Sequence, residues 1–218
     1  MSERSHLPYV QPQFKDHIAH LAEIRKSALT AADPKLAVTR NLTLHGSKLT
    51  AGTHEIQIKP STRFFIVAAG KASVAMSLAA VEALGNRLIS GVATVPLDFK
   101  VSLPSRISPI PAGHPLPDRG SLTAGIATQS MLAKTKPDDL VVALISGGGS
   151  AMLELPVPGV SLEDLQAINM HLIRSGAPIE SINSVRRALS QIKAGGLVRM
   201  ASPARVVSLI MSDVVGDR

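Results

Sequence analysis

The chain has no cysteine and no tryptophan, and four phenylalanines and one tyrosine are its whole aromatic complement in 218 residues. Without cysteine there is no disulfide framework, thiolate metal site or cysteine nucleophile, and a reducing cytoplasm is the expected compartment. With so few rings to stack bases on, the excess of 23 Lys and Arg over 16 Asp and Glu is not read as a nucleic-acid surface. The basic residues are scattered, so the net charge of +7 is a bias toward small anionic ligands. No apolar run is long enough to span a bilayer, and Met1 to Val10 lacks the apolar centre of a signal peptide. Histidine and acidic residues nowhere fall at zinc-ligand spacing.

What is present is a globular composition, 45% hydrophobic with a mean hydropathy of +0.22, at a length that suits one α/β domain. Residues 1–15, with Pro8 and Pro12, read as a polar arm, and 16–218 as the domain. A helical apolar period begins at Asp16, and Asp33-Pro34 offers an N-cap with proline at the first helical position, so two short helices are expected. Gly46 to Gly52 reads as a turn-rich connector, followed by a half-exposed strand at His54 to Lys59. Strands are then expected at Arg63 to Ala69, Ile89 to Val95, Arg106 to Ile110, Asp139 to Ile145 and Val206 to Met211. Helices are expected at Ala72 to Leu84, Ser121 to Lys134 (capped by Asp118), Ser161 to about Gly176 and Ile179 to Gln191. This alternation predicts a Rossmann-like, three-layer α/β/α fold with a mostly parallel sheet. Because Arg218 follows a strand where another crossover is due, the fold is expected to be truncated.

Ligands bind beyond the carboxyl ends of parallel strands, and four of those ends carry unusual residues. Gly70-Lys71 resembles part of a phosphate loop, but Phe65 and Ala72 break the Walker pattern. Ser146-Gly147-Gly148-Gly149-Ser150 follows a buried strand and is read as an anion loop, while Met152 breaks the dinucleotide fingerprint. His114, between Gly113 and Pro115, either donates to a substrate oxygen or fixes its own turn. Asn183, Arg186, Ser190 and Lys193 fall at a helical three-to-four spacing, as a ligand-facing or a merely solvated basic face would. Asp213 and Asp217 suit magnesium ligation or abstraction of a hydroxyl proton, and turn capping equally.

Gly70-Lys-Ala72, Gly113-His-Pro-Leu-Pro-Asp118, Ser146-Gly-Gly-Gly-Ser-Ala151, Ser175-Gly-Ala177, Ile182-Asn-Ser-Val-Arg186, Leu189-Ser-Gln-Ile-Lys193 and Ser212-Asp-Val-Val-Gly-Asp217 together resemble the type 2 glycerate kinases. The order and spacing of these motifs hold from about residue 16 onward. The resemblance implies the first, Rossmann-like domain of a two-domain enzyme that transfers the ATP γ-phosphoryl group to D-glycerate with Mg2+, giving 2-phosphoglycerate. The family's active-site lysine falls on Lys71. Ala188 and Ala194 depart from the family pattern, and the second, MOFRL-type domain is absent, so the chain alone is expected to be inactive. Some relatives carry the label hydroxypyruvate reductase, which makes an oxidoreductase one alternative; a non-catalytic nucleotide-binding fragment is another. The working assignment gives catalysis to Lys71, Asp213 and Asp217, nucleotide phosphate to Ser146 through Ser150, and magnesium to Asp213 and Asp217. Substrate binding falls to His114, Asn183, Arg186 and Lys193. The expected partners are nucleotide and a small-molecule substrate, with no nucleic acid or membrane, and self-association is an open expectation.

Overall fold

The structure, a computed structural model, describes residues 17–100 and 102–212. Two helices, α1 (Ile18–Ala31) and α2 (Pro34–Asn41), come first. Asp33 caps α2 by accepting a hydrogen bond from the Leu36 N–H at 3.0 Å, with Pro34 at the first position as its fixed φ favours. An antiparallel meander follows: β1 (Leu42–His45), β2 (Lys48–Ala51) and β3 (His54–Gln57). The expected connector between Gly46 and Gly52 is therefore corrected to a strand, with the glycines as its turns at φ +58° and +59°. Its alternation, buried Leu49 and Ala51 against half-buried Lys48 and Thr50, spans only four residues, too few to stand out from the turn residues around it.

The main unit continues with β4 (Phe64–Ala69), α3 (Ser73–Leu84), β5 (Leu88–Val95), β6 (Ile107–Pro111), α4 (Arg119–Leu132) and β7 (Leu140–Ser146). The chain then forms α5 (Gly149–Met152), α6 (Leu162–Arg174), α7 (Ile179–Ala188), α8 (Gly196–Ala201) and β8 (Arg205–Met211). Strands β4 to β8 make one parallel sheet in the order β6-β5-β4-β7-β8. The uninterrupted apolar character of β4 has a direct cause. Phe64, Ile66 and Ala68 enter one core with Met76, Ala80 and Leu84 of α3, and Phe65, Val67 and Ala69 enter another with Ala124, Met131 and Leu132 of α4. A strand covered on both faces has no polar side to alternate with. The expected parallel α/β/α architecture is thus observed.

Capping places the later helices. Asp118 accepts from the Ser121 N–H at 2.9 Å, and the Ser121 hydroxyl accepts from the Asp118 N–H at 3.1 Å, closing a capping box on α4. Ser161 and Asp164 do the same for α6. Helix α7 stops at Ala188, three residues short of the expected end at Gln191. Tertiary pairing outcompetes the helix there: the Gln191 N–H donates to Leu155 O at 2.8 Å, and Ser190 bridges to Pro156.

Candidate active site

Chain order turns around at β4. From it the sheet grows outward through β5 to β6, then the chain returns to lay β7 on the other side, which makes the β4/β7 boundary a topological switch point. The loops leaving these two strands are locked together. Gly70 has φ +113°, and a Cβ there would stand 2.4 Å from both the carbonyl oxygen and Oγ of Ser146, so only glycine fits. The Lys71 N–H donates to Gly147 O at 2.9 Å, and the Ala72 N–H donates to Ser146 Oγ at 3.0 Å. Ser146 is buried, and its hydroxyl spends its lone pair on this backbone clamp.

Past the clamp the chain opens. Gly148 takes a left-handed φ of +86°, and a Cβ on it would meet His114 Cδ2 at 2.9 Å, so the imidazole lies directly over the glycine loop. The N–H groups of Gly148 and Gly149 donate to no acceptor among the described residues. Ser150 is exposed, and the helix that follows, α5, is a single turn. The Lys71 side chain is exposed and has no hydrogen-bond or ion-pair partner among the described residues.

Two cavities flank the loop. One, of 390 Å³, is lined by Lys71, Pro96, Leu97, Ala112, His114 and Met152. The other, of 520 Å³, runs from Gly149 and Ser150 to Asn183, Arg186 and Lys193, over an apolar floor that includes Ile145, Leu153 and Leu197. Both volumes suit small molecules or their parts. The sheet topology therefore gathers Lys71, His114, the glycine loop, Asn183, Arg186 and Lys193 at one end of the molecule. Asp213 and Asp217 lie outside the described residues.

The common helical face expected for Asn183, Arg186, Ser190 and Lys193 does not exist as such, because Ser190 and Lys193 lie beyond the end of α7. Lys193 reaches the larger cavity from the following loop, and there its ammonium pairs with Glu154. Glu154 is 2% exposed, and its other oxygen accepts from the Leu155 N–H at 3.0 Å. Burial pushes the Lys193 proton affinity down, Glu154 pulls it back up, and nearby Arg186 pushes it down again. Arg186 itself is half-buried and pairs with no carboxylate among the described residues. Sequence reading missed Glu154; its one signal is an acid set in the otherwise apolar run Met152 to Pro156.

Magnesium finds no ready ligands among the described residues. Asp118 is drawn below the usual carboxylate range: burial raises it, but the N–H groups of Ser121, Gly113 and Gly120 and the Ser121 hydroxyl outweigh that by hydrogen bonding to its charged form. It is a cap. Glu154 is held by Lys193, and no cluster of three acidic or histidine side chains is found among the described residues. Among those residues no helix is long and apolar enough to cross a membrane.

The fold and the sequence have counterparts in known proteins. The crystal structure of glycerate kinase from Thermotoga maritima superimposes with a TM-score of 0.79 at 35% identity, over 93% of this chain and 46% of that one. Human glycerate kinase is 39% identical over 210 residues, 89% of this chain and 40% of that protein. A putative hydroxypyruvate reductase from Agrobacterium vitis is 41% identical over 197 residues, 90% of this chain and 42% of that protein. The chain thus spans about 40% of the length of the curated relatives it matches. The model of one family, described as a domain of unknown function (DUF4147), matches residues 20–218, and the chain belongs to that family.

Proposed function

We propose that this chain is the nucleotide- and substrate-binding part of a glycerate kinase that moves the ATP γ-phosphoryl group to D-glycerate, giving 2-phosphoglycerate. The observation that carries the reading is the gathering of two cations, Lys71 and Arg186, on either side of a glycine loop, where the cations have no carboxylate partner and the Gly148 and Gly149 N–H groups no acceptor among the described residues. Phosphoryl transfer asks for this kind of positioning and charge neutralisation more than for covalent chemistry. In the reaction the glycerate hydroxyl oxygen bonds to the γ-phosphorus, the bond from that phosphorus to the β,γ-bridging oxygen breaks, and ADP departs with its electron pair.

The chain's own residues divide the work. The Gly147 to Gly149 loop and Ser150 cradle nucleotide phosphate, while Ser146 holds the loop to β4. Lys71 balances the charge on the transferring group, and His114 donates to a substrate oxygen from the smaller cavity. Arg186 and Asn183 hold an anionic end of the ligand in the larger one. Asp213 or Asp217 takes the hydroxyl proton, and the same pair is assigned to Mg2+, which when bound neutralises phosphate charge. We place the protein in the cytoplasm.

The test is ATP-dependent phosphorylation of D-glycerate by the full-length protein that contains this chain. Lys71→Ala is expected to lower kcat by about 100-fold or more. Undiminished phosphorylation would overturn the assignment, and NAD(P)H oxidation with hydroxypyruvate in its place would favour an oxidoreductase.

A further inference from the structure

We propose that Glu154 is a positioning residue for an oxyanion site in the larger cavity: it cancels the charge of Lys193, so that Arg186 is the charge that anchors the phosphate or carboxylate of the ligand. This rests on the reading that the cavity takes an anionic ligand, and it names a residue outside every motif the sequence singled out.

The pair is built into the wall of the cavity. Glu154 follows α5, its N–H donates to Ser121 O of α4 at 3.2 Å, and its side chain is enclosed. Lys193 comes from the loop after α7, with its side chain only 12% exposed. The two segments are also stitched by backbone. The Val157 N–H donates to Leu189 O at 3.1 Å, the Gln191 N–H to Leu155 O at 2.8 Å, and Gln191 Nε2 to Pro156 O at 2.6 Å. With that much backbone pairing in place, the ion pair is not needed to hold the segments together. A buried ion pair recovers little stability beyond its desolvation cost, so its presence calls for another account.

Charge supplies it. Glu154 from the segment after α5 pairs with Lys193, Arg186 and Arg187 from α7 line the same cavity, and Arg199 of α8 donates its Nη1 to Ala194 O. Arg187 is turned back onto its own helix, donating to Asn183 O and Ser184 Oγ. Without Glu154 the cavity wall would carry Lys193 and Arg186 as adjacent unpaired cations, and burial would strip the proton from the lysine. Ligand affinity would then depend on pH. With Glu154 present, its charge and that of Lys193 cancel within the pair, and the ligand meets the cation of Arg186.

The experiment is a charge cycle on the full 218-residue chain, with binding of inorganic pyrophosphate, ATP and D-glycerate each measured by calorimetry between pH 6.5 and 9. Pyrophosphate and ATP report a phosphate anchor, and glycerate reports a carboxylate anchor. Wild type is expected to bind at least one of the three, and Arg186→Ala to weaken that binding at least about 10-fold. Glu154→Gln is expected to make the affinity, taken relative to wild type at each pH, fall as pH rises. Lys193→Met leaves a buried carboxylate beside Arg186 and is expected to weaken binding about 10-fold or more. The decisive variant is Glu154→Gln with Lys193→Met, neutral and of similar volume, which is expected to recover to within about 5-fold of wild type.

If the double variant stays as weak as Lys193→Met, the lysine contacts the ligand itself and the proposal is overturned. A ratio of Glu154→Gln to wild-type affinity that does not change with pH, or no binding that depends on Arg186, overturns it as well. NMR titration of the labelled Lys193 side chain checks folding and coupling without any ligand: Glu154→Gln is expected to lower its pKa, and an unmoved pKa counts against the proposal. Loss of glycerate phosphorylation in the full-length protein, with the pyrophosphate cycle intact, would sink the kinase reading and leave this one standing.

Discussion

The two ends of the central sheet treat charge differently: the carboxyl end closes one pair, Lys193 with Glu154, and leaves two cations without an acidic partner among the described residues. At the amino end, Arg63 before β4 grips Asp139 before β7, donating from Nε at 2.9 Å and Nη2 at 2.5 Å, and the Lys136 N–H donates to the same carboxylate at 2.7 Å. Lys59 pairs with Asp138 beside it, and the Arg205 N–H donates to Asp139 O. At the carboxyl end, Lys71 and Arg186 have no acidic partner among the described residues, and the strands are joined by backbone contacts between Gly70, Lys71, Ala72 and Ser146 to Gly147. A charge that finds its partner within the fold has little left for a ligand. An unpaired charge over a rigid backbone junction is available for binding, and its loss costs the fold little.

The comparison predicts that backbone, not charge, carries stability at the carboxyl end. Gly70→Ala should have the largest effect, because the new methyl group meets Ser146 backbone atoms that cannot swing aside, at a φ of +113°. A loss of about 3 kcal/mol or more in urea unfolding is expected, from strain and overpacking together. A variant as stable as wild type would show that the β4/β7 junction is looser than its geometry implies.

At the amino end Asp139→Asn should cost about 2 kcal/mol and leave pyrophosphate binding unchanged. A fully enclosed pair broken on one side loses about 3–5 kcal/mol, but Arg63 is a third exposed and water replaces part of what it loses. Burial raises the Asp139 proton affinity, but hydrogen bonds from Arg63 and the Lys136 N–H, together with the Arg63 charge, lower it further and hold it below the usual carboxylate range. A depressed folded pKa contributes stability that is complete above the unfolded value near ~3.9 and is lost as pH falls through the folded one. The gap between wild type and variant should therefore be constant from pH 5 to 8, as an order-of-magnitude window, and shrink in acid. A gap that widened in acid would contradict the pairing.

The loop beneath the larger cavity gives a smaller effect of opposite sign. Ala194 is the only non-glycine residue with positive φ among the described residues, at +51°. Ala194→Gly should stabilise by about 0.5–1 kcal/mol, the relief of the left-handed alanine less the added chain entropy of glycine. Destabilisation would mean that the alanine methyl contributes packing worth more than the strain.

The same contrast explains what could be read from the sequence. Fold was legible because β4 and β7 are unbroken apolar runs and because Asp33, Asp118 and Ser161 cap helices by local rules. The glycine loop, Lys71 and Arg186 were legible because they sit at strand ends and in motifs. The amino-end network was not, since Arg63 and Asp139 are 76 residues apart and nothing local marks them as partners. The pairing of Glu154 with Lys193, 39 residues apart, was hidden for the same reason, and the end of α7 was misread because a long-range pairing at Ser190 and Gln191 overrides helical propensity.

The smallest predicted effect bears hardest on the comparison. Lys71 is exposed, its ammonium makes no contact with an acid among the described residues, and only its backbone N–H enters the β4/β7 clamp. Lys71→Ala keeps that N–H, so unfolding free energy should change by less than about 0.5 kcal/mol, as for surface changes away from special features. Circular dichroism melts and urea titrations of the two chains side by side would read it, next to the kcat loss expected in the full-length protein. A loss of 2 kcal/mol or more, an order-of-magnitude threshold, would mean that Lys71 has a structural partner, and its charge would then be paired as those of the amino end are.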